Sequence, residues 1–118
     1  MFTQYIQTVV DNVEGGVGGV IMGLDGIAVE TYVRGGADFD VNTIGMEFSF
    51  ILTQVKKAGD ILRLGGIREF SIKAESITLV MRMLTDEYFL GIVISAEGNY
   101  GKCRYLMRMT EPKLRVEL

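Results

Sequence analysis

One segment of the sequence, from Val41 to Gly66, predicts a single helix that carries two separate apolar stripes. Steps of three, four and seven residues align the first stripe along one line of the helix, and this stripe consists of Ile44, Phe48, Ile51, Val55 and Leu62. At about 100° per residue, the second stripe lies more than about 120° around the axis, and it consists of Met46, Phe50, Ile61 and Leu64. A surface helix normally presents one apolar stripe to its own core. The second stripe therefore predicts that this chain binds another protein surface.

The neighbours of the second stripe favour pairing with a second copy of the chain. Gly45 and Ser49 are small enough to let another backbone approach closely. The segment 67–74 alternates between apolar and polar residues, and at a sheet edge it would offer unpaired backbone groups to its own copy. A two-fold axis would combine both features in one self-complementary interface. The interface residues predicted in this way are Gly45, Met46, Ser49, Phe50, Ile61, Leu64, Ile67, Glu69, Ser71 and Lys73.

Two properties of the long helix stay open at the level of sequence. One is which of the two stripes faces the sheet. The other is whether the last helix of the same chain covers the second stripe, which would remove the need for a partner.

Composition predicts a globular protein and limits the chemistry that its side chains can perform. A length of 118 residues suits one domain over 1–118, and 48% apolar with 23% charged residues excludes a disordered chain. A net charge of −3 argues against nucleic acid as the main partner. The chain has no histidine and one cysteine, which excludes Ser–His and Cys–His nucleophiles and a zinc site. Acid–base chemistry would therefore have to use carboxylates, lysines or tyrosines. We expect no metal and no cofactor, and no single residue stands out as catalytic.

Cys103 and the apolar runs predict a cytoplasmic protein. A single cysteine cannot form an internal disulfide and suits a reducing compartment. Its position on an apolar helical face indicates a buried small hydrophobe more than a reactive thiol. The N-terminus lacks the basic and apolar regions of a signal peptide, and no apolar run approaches the ~20 residues that span a bilayer. Membrane insertion is not expected.

A glycine run and two arginines are further candidates for binding. The run from Gly15 to Val20 precedes a predicted strand and has no Gly-Lys-Ser/Thr, so it is more typical of a helix stop and a strand against which a helix packs closely. Arg104 and Arg108 are one helical turn apart and could bind a carboxylate-rich or phosphate-bearing partner. The alternative is that both arginines belong to a solvated helix face.

The order of apolar periodicities and turn residues predicts an α+β fold. The predicted elements are a helix over 2–13, strands over 17–23 and 27–33 joined by Leu24-Asp25-Gly26, a helix from Asp40 to about Leu64, strands over 67–74, 77–84 and 88–95, and a helix that starts after Asn99. Pro112 is expected to end or kink the last helix and to leave a charged tail. A five-stranded antiparallel sheet with helices on both faces, in the order α-β-β-α-β-β-β-α, satisfies all these patterns.

Three segments resemble the Roadblock/dynein-light-chain family, whose bacterial MglB-type members are the most similar in function. They are Gly19-Val-Ile-Met-Gly-Leu-Asp-Gly-Ile-Ala-Val-Glu30, the long helix capped by Asp40, and Asn99-Tyr-Gly-Lys-Cys-Arg104. The resemblance implies a profilin-like fold and a homodimer that joins the long helices and the third strands. It also implies a small Ras-like GTPase as the partner, with Arg34 as the one loop arginine that could enter a GTPase site.

The function expected from this resemblance is that of a non-enzymatic homodimer that binds a small Ras-like GTPase and modulates its nucleotide cycle in polarity or motility. Stimulation of GTP hydrolysis by the partner is part of this expectation. Two alternatives stay open. One is a structural dimerisation scaffold without a GTPase partner. The other is a small-molecule sensor domain, which requires a large apolar internal pocket.

Overall fold

The computed structural model describes residues 1–36 and 39–118, and it confirms the predicted fold class and element order. The elements in chain order are α1 (Phe2–Asp11), β1 (Gly16–Gly23), β2 (Ala28–Val33), α2 (Val41–Ile61), β3 (Glu69–Lys73), β4 (Ile77–Met83), β5 (Tyr88–Ser95) and α3 (Tyr100–Glu117). Most predicted bounds agree with these within two residues, because apolar period and turn chemistry mark the same limits.

The five strands form one antiparallel sheet in the order β2-β1-β5-β4-β3. The interior strands β1, β4 and β5 are largely buried. The apolar residues on both faces of β4 and β5 are typical of strands that are covered above and below. β2 and β3 are the two edge strands, and each exposes one row of backbone groups that no neighbouring strand of this sheet pairs. The mixed apolar and polar residues on the two faces of 27–33 suit the edge position of β2, and β3 holds the other edge, the position that pairing of 67–74 with its own copy requires.

The helices cover the two faces of the sheet unequally. α1 and α3 share one face, and their core cluster consists of Ile6, Val9, Val10, Val13, Ile21, Val80, Leu84, Leu90, Ile92, Ile94, Cys103, Met107 and Leu114. α2 alone covers the other face, and its core cluster consists of Val17, Val20, Met22, Val41, Leu52, Leu79, Met81, Phe89 and Val93. α2 and α3 thus lie on opposite sides of the sheet, which decides which of their surfaces stay exposed.

The short-range sequence signals produce the expected turns and caps. Gly26 has a positive φ of 84° in the turn between β1 and β2, where the Asp25 carboxylate accepts a hydrogen bond from the Ile27 amide at 3.0 Å. Asp40 caps α2 by accepting from the Thr43 amide at 3.0 Å and from the Thr43 hydroxyl at 2.7 Å, and these bonds lower the pKa of Asp40. Asn99 caps α3 by accepting from the Lys102 amide at 3.0 Å.

The predicted ends of α2 and α3 differ from the structure. α2 ends at Ile61, before Leu64, because Arg63 and Gly65 both have positive φ and turn the chain away. The prediction that Pro112 leaves a charged tail is wrong, since α3 continues through it to Glu117. Leu114 is fully buried beyond the proline, so tertiary packing holds the last turns in a helix.

Candidate interaction surface

The side of α2 that faces the sheet belongs to neither predicted stripe. Its fully buried line consists of Val41, Gly45, Ser49, Leu52 and Gly59. A Cβ atom on Gly45 would lie 3.0 Å from the Met22 Cε and 3.1 Å from the Val20 Cγ1, which shows how closely the helix approaches β1. The small residues let α2 lie directly on its own sheet.

Gly45 and Ser49 are therefore wrong as predicted partner residues. Both are buried inside the protomer, and the Ser49 hydroxyl donates to the Met46 carbonyl at 2.7 Å on the same helix. The physical reason is that close backbone approach, which their size allows, is used by the sheet of the same chain. A small residue on a helix indicates that another segment approaches closely. It does not indicate whether that segment belongs to the same chain or to a partner.

The first stripe lies at the border between the buried and exposed sides of α2. Ile44 and Phe48 are half-buried and pack against the α2-side core, and Val55 is half-buried as well. Ile51 and Leu62 are exposed. Neither stripe therefore faces the sheet directly, and the first stripe is the one whose residues reach the border of the packed side.

The second stripe is exposed to solvent, and we call it the α2 outer face. Met46, Phe50 and Ile61 lie on α2, and Leu64 lies three residues beyond the end of the helix. Its exposed fractions are 50% for Met46, 68% for Phe50, 79% for Ile61 and 67% for Leu64. The possibility that the last helix covers this stripe is wrong, since α3 packs on the opposite face of the sheet. Exposed apolar patches of this kind are typical of interaction sites.

The predicted residues of β3 divide between two roles inside the protomer. Glu69, Ser71 and Lys73 point toward α3, where the Ser71 hydroxyl lies 2.8 Å from the Tyr100 hydroxyl and the Lys73 ammonium lies 4.2 Å from the centre of the Tyr100 ring. On the other face, Ile67 packs against the α2-side core. What β3 offers to another chain is therefore mainly its backbone edge.

The three arginines predicted as partner contacts differ in their surroundings. Arg34 lies 3.9 Å from an Asp11 carboxylate oxygen. Arg104 is held by Glu69, with 2.6 Å between the guanidinium and the carboxylate, and this hydrogen bond raises the pKa of Arg104. Arg108 is exposed and forms no ion pair with another residue in 1–36 or 39–118.

An ion-pair network between the β3–β4 edge and α3 was not predicted from the sequence. The Arg82 Nε donates to the Glu111 carboxylate at 2.5 Å, and its Nη1 lies 3.4 Å from Glu69. Arg115 also pairs with Glu111 and donates to the Leu84 carbonyl at 2.9 Å. Glu111 and Arg115 are one helical turn apart, but Arg82 is remote in sequence from Glu111 and lies on a different strand from Glu69, so no local pattern could have revealed its place in the network. It joins α3 to the edge strand that would pair with another chain.

The structure supports neither a small-molecule site nor a reactive cysteine in the residues it describes. The depressions are open to the surface, with volumes of about 260–330 Å³, and polar, charged or turn residues form much of their lining. Cys103 is fully buried, and desolvation, with a smaller contribution from the charge of Glu69, raises its pKa to about 12. No helix in the described part of the chain has the length and apolarity to cross a membrane.

Comparison with known proteins identifies relatives by structure, whereas no family model and no curated protein matches the sequence. The crystal structure of MglC from Myxococcus xanthus shares 39% identity with this chain, covers 99% of it and 98% of MglC, and superposes with a TM-score of 0.73. A Roadblock/LC7 domain from Streptomyces avermitilis shares the fold at 16% identity, with a TM-score of 0.86 and coverage of 98% and 95%.

More distant structures extend the similarity of fold. The gliding protein MglB from Thermus thermophilus has a TM-score of 0.84 at 11% identity and covers 96% of this chain and 84% of its own. At such identities only the fold is shared. The identity to MglC over nearly the whole of both chains, together with the superposition on a Roadblock/LC7 domain, shows that this chain belongs to the Roadblock/LC7 family.

Proposed function

We propose that this protein is a non-enzymatic homodimer of one domain over 1–118 that binds a small Ras-like GTPase in the cytoplasm and modulates its nucleotide cycle. The observation that carries the proposal is the α2 outer face, where four large apolar side chains are at least half exposed. The relationship to MglC and the fold shared with a gliding MglB support a role in motility or polarity.

The α2 outer face supplies part of the free energy that a dimer needs. Burying a large apolar side chain contributes about 1.5–3 kcal/mol, whereas association costs about 4–15 kcal/mol before any contact is counted. Four such side chains from each protomer would contribute about 12–24 kcal/mol if they started fully exposed. They contribute less because each is already partly buried, so the gain is comparable with the cost and further contacts add to it.

The β3 edge is the second contributor to the proposed dimer. The end of α2 lies next to the segment that enters β3, since a Cβ atom on Gly59 would lie 3.0 Å from the Ile67 Cδ1. Antiparallel pairing of two β3 strands would satisfy their open backbone groups while the α2 outer faces meet. The proposed interface residues are Met46, Phe50, Ile61 and Leu64 with the strand positions Ile67, Glu69, Ser71 and Lys73.

Charge substitution on the α2 outer face tests the dimer. Phe50→Glu and Ile61→Glu should each convert a dimer into a monomer in light scattering, because a carboxylate would be desolvated at the interface. Val116→Glu is the matched control, since Val116 is an equally exposed apolar residue on α3. A wild-type monomer at high concentration, or a dimer that persists in both variants, would refute the interface.

The surroundings of Arg34 and Arg104 favour one of two ways to modulate the GTPase. They favour binding of its mobile loops and disfavour insertion of an arginine into its active site. Arg104 is engaged by Glu69, and Arg34 lies near Asp11. An inserted arginine would have to leave such a partner, whereas a dimer surface can order the partner's switch loops without one. We therefore expect effects on the nucleotide cycle that do not depend on Arg34.

A pull-down with a Ras-like GTPase from the same organism tests the partner. The GTPase is loaded with GDP or with a non-hydrolysable GTP analogue, and the chain should retain one state at least about tenfold more strongly, which corresponds to about 1.4 kcal/mol. Arg34→Ala serves as the comparison variant and should bind as the wild type does. Equal retention of both states, or none, would remove the regulatory proposal.

A dimerisation scaffold without a GTPase partner is the second candidate function. The internal pairing of Arg104 favours it, because that arginine already stabilises the contact between α3 and β3. This candidate predicts the same dimer and the same response to Phe50→Glu. The two candidates differ only in the pull-down, where the scaffold retains neither state of the GTPase.

A further inference from the structure

A second unpartnered apolar stripe lies on α3, on the side of the sheet opposite α2. Tyr105 and Met109 are 54% and 53% exposed, Val116 is 87% exposed, and Pro112 lies between them. The residues of α3 that pack on the sheet are Cys103, Met107, Thr110 and Leu114. The stripe therefore points directly away from the core, and we call it the α3 outer face.

The charged residues that flank the α3 outer face are basic. Lys102, Arg108 and Lys113 are exposed, and none of them forms an ion pair within the described ranges of the chain. Both acidic residues of α3 are engaged elsewhere: Glu111 by Arg82 and Arg115, and Glu117 by the N-terminal amine at 3.5 Å. A chain with a net charge of −3 thus presents a positive, partly apolar helix surface.

The spacing of the α3 outer face is that of a helix-pairing seam. Steps of four, three and four residues from Tyr105 to Val116 are those of alternating d and a positions in a heptad. In this register Arg108 and Lys113 occupy g and e positions, which set the choice of partner by charge. A helix with apolar a and d positions and acidic e and g positions is complementary to this surface.

Other occupants fit the α3 outer face less well. A second copy of α3 would bring basic e and g positions against basic ones, and like charges oppose such pairing. A membrane surface requires an apolar face buried about 5–10 Å into the headgroup region. The stripe is one side chain wide, and the remainder of α3 is fixed against the sheet, so the helix cannot sink to that depth.

We propose that the outer face of α3 binds an amphipathic helix of another protein whose apolar stripe is flanked by Asp and Glu. The site lies on a different helix and a different side of the sheet from the proposed dimer surface. It therefore does not depend on the GTPase proposal, and it would let the protein hold two partners through separate surfaces.

Binding of synthetic helices to the full-length protein tests this proposal. One labelled peptide has about three heptads with Leu at a and d and Glu at e and g, and its matched control has Lys at e and g. Fluorescence anisotropy should show saturable binding of the Glu peptide and none of the Lys peptide. Arg108→Glu combined with Lys113→Glu should lower the affinity for the Glu peptide by at least about tenfold. The same double variant should bind the Lys peptide.

Two further variants separate a specific seam from general charge attraction. Met109→Ser combined with Val116→Ser leaves the net charge unchanged and should lower the affinity for the Glu peptide. Arg34→Glu combined with Arg63→Glu changes net charge as much as the α3 swap and should leave binding unchanged. Equal loss in this control, unchanged binding in the serine variant, or absence of Glu-peptide binding would overturn the proposal. Retention on vesicles of phosphatidylserine and phosphatidylcholine in place of peptide binding would overturn it in favour of a membrane site.

Discussion

Gly19 shows how a single residue controls the distance between α1 and the sheet. It lies in the middle of β1, and a Cβ atom there would meet the Ile92 Cδ1 at 2.6 Å, the Ile6 Cγ2 at 2.7 Å and the Gly91 carbonyl at 3.1 Å. The sequence interpretation of this glycine run, a strand on which a helix packs closely, is confirmed at this position because Ile6 belongs to α1.

Gly19→Ala should destabilise the protein by about 1–3 kcal/mol, because the added methyl group overpacks a core in which a backbone carbonyl is one of the neighbours. Urea denaturation monitored by circular dichroism would measure the change in the free energy of unfolding. Gly35→Ala is the control, since a Cβ atom on Gly35 has no neighbour within 4 Å. Equal midpoints for the two variants would contradict this account of the packing.

Cys103 should be unreactive in the folded protein and should make stability depend on alkaline pH. Burial raises its pKa from 9.0 to about 12, so the folded state holds the thiol protonated where the unfolded state releases the proton. Its contribution to stability is complete below pH 9 and is lost as the pH rises toward 12. Cys103→Ala should flatten this part of the stability profile, and a thiol reagent should label the wild type only after unfolding.

At the scale of elements, the last turns of α3 illustrate tertiary packing that overrides a local signal. A proline inside a helix removes one backbone hydrogen bond and disfavours continuation. Here Leu114 lies buried among residues of α1 and the sheet, and Arg115 donates to the Leu84 carbonyl at 2.9 Å. Both contacts lie beyond Pro112 and hold the helix on the core.

Leu114→Ala should therefore cost about 2–5 kcal/mol, the range for removing a buried leucine side chain. Thermal unfolding and hydrogen exchange of the amides from 113 to 118 would measure the loss. Val116→Ala, two residues away but exposed, should change stability by less than about 0.5 kcal/mol. If both variants unfold alike, α3 is not anchored at its end as described.

At the scale of the whole molecule, dimerisation and folding should be linked. If two copies bury the α2 outer face, mass action makes the thermal midpoint of the wild type rise with protein concentration. Phe50→Glu should have a midpoint that is independent of concentration. Calorimetry over a hundredfold dilution would distinguish the two, and a constant wild-type midpoint would show that folding does not require a partner copy.

Local patterns in the sequence were sufficient to predict the element order, the sheet edges, the turn at Asp25 and the caps at Asp40 and Asn99. They were insufficient to predict which face of α2 packs on the sheet. That face contains small residues such as Gly45 and Ser49 and is not the most apolar stripe of the helix. The ion pairs of Arg82 could not be predicted from local patterns either, because only the folded sheet and α3 bring these residues together.

By itself, the sequence determined where helices and strands begin, that β4 and β5 lie inside the sheet, and that more apolar helix surface exists than one core can bury. These are consequences of periodicity and of backbone conformations that individual residues favour. Only the tertiary structure decided which surface of α2 and which surface of α3 stay exposed. The reason is physical: burial depends on the distance at which a helix lies on the sheet, and that distance is set by contacts between segments remote in the chain.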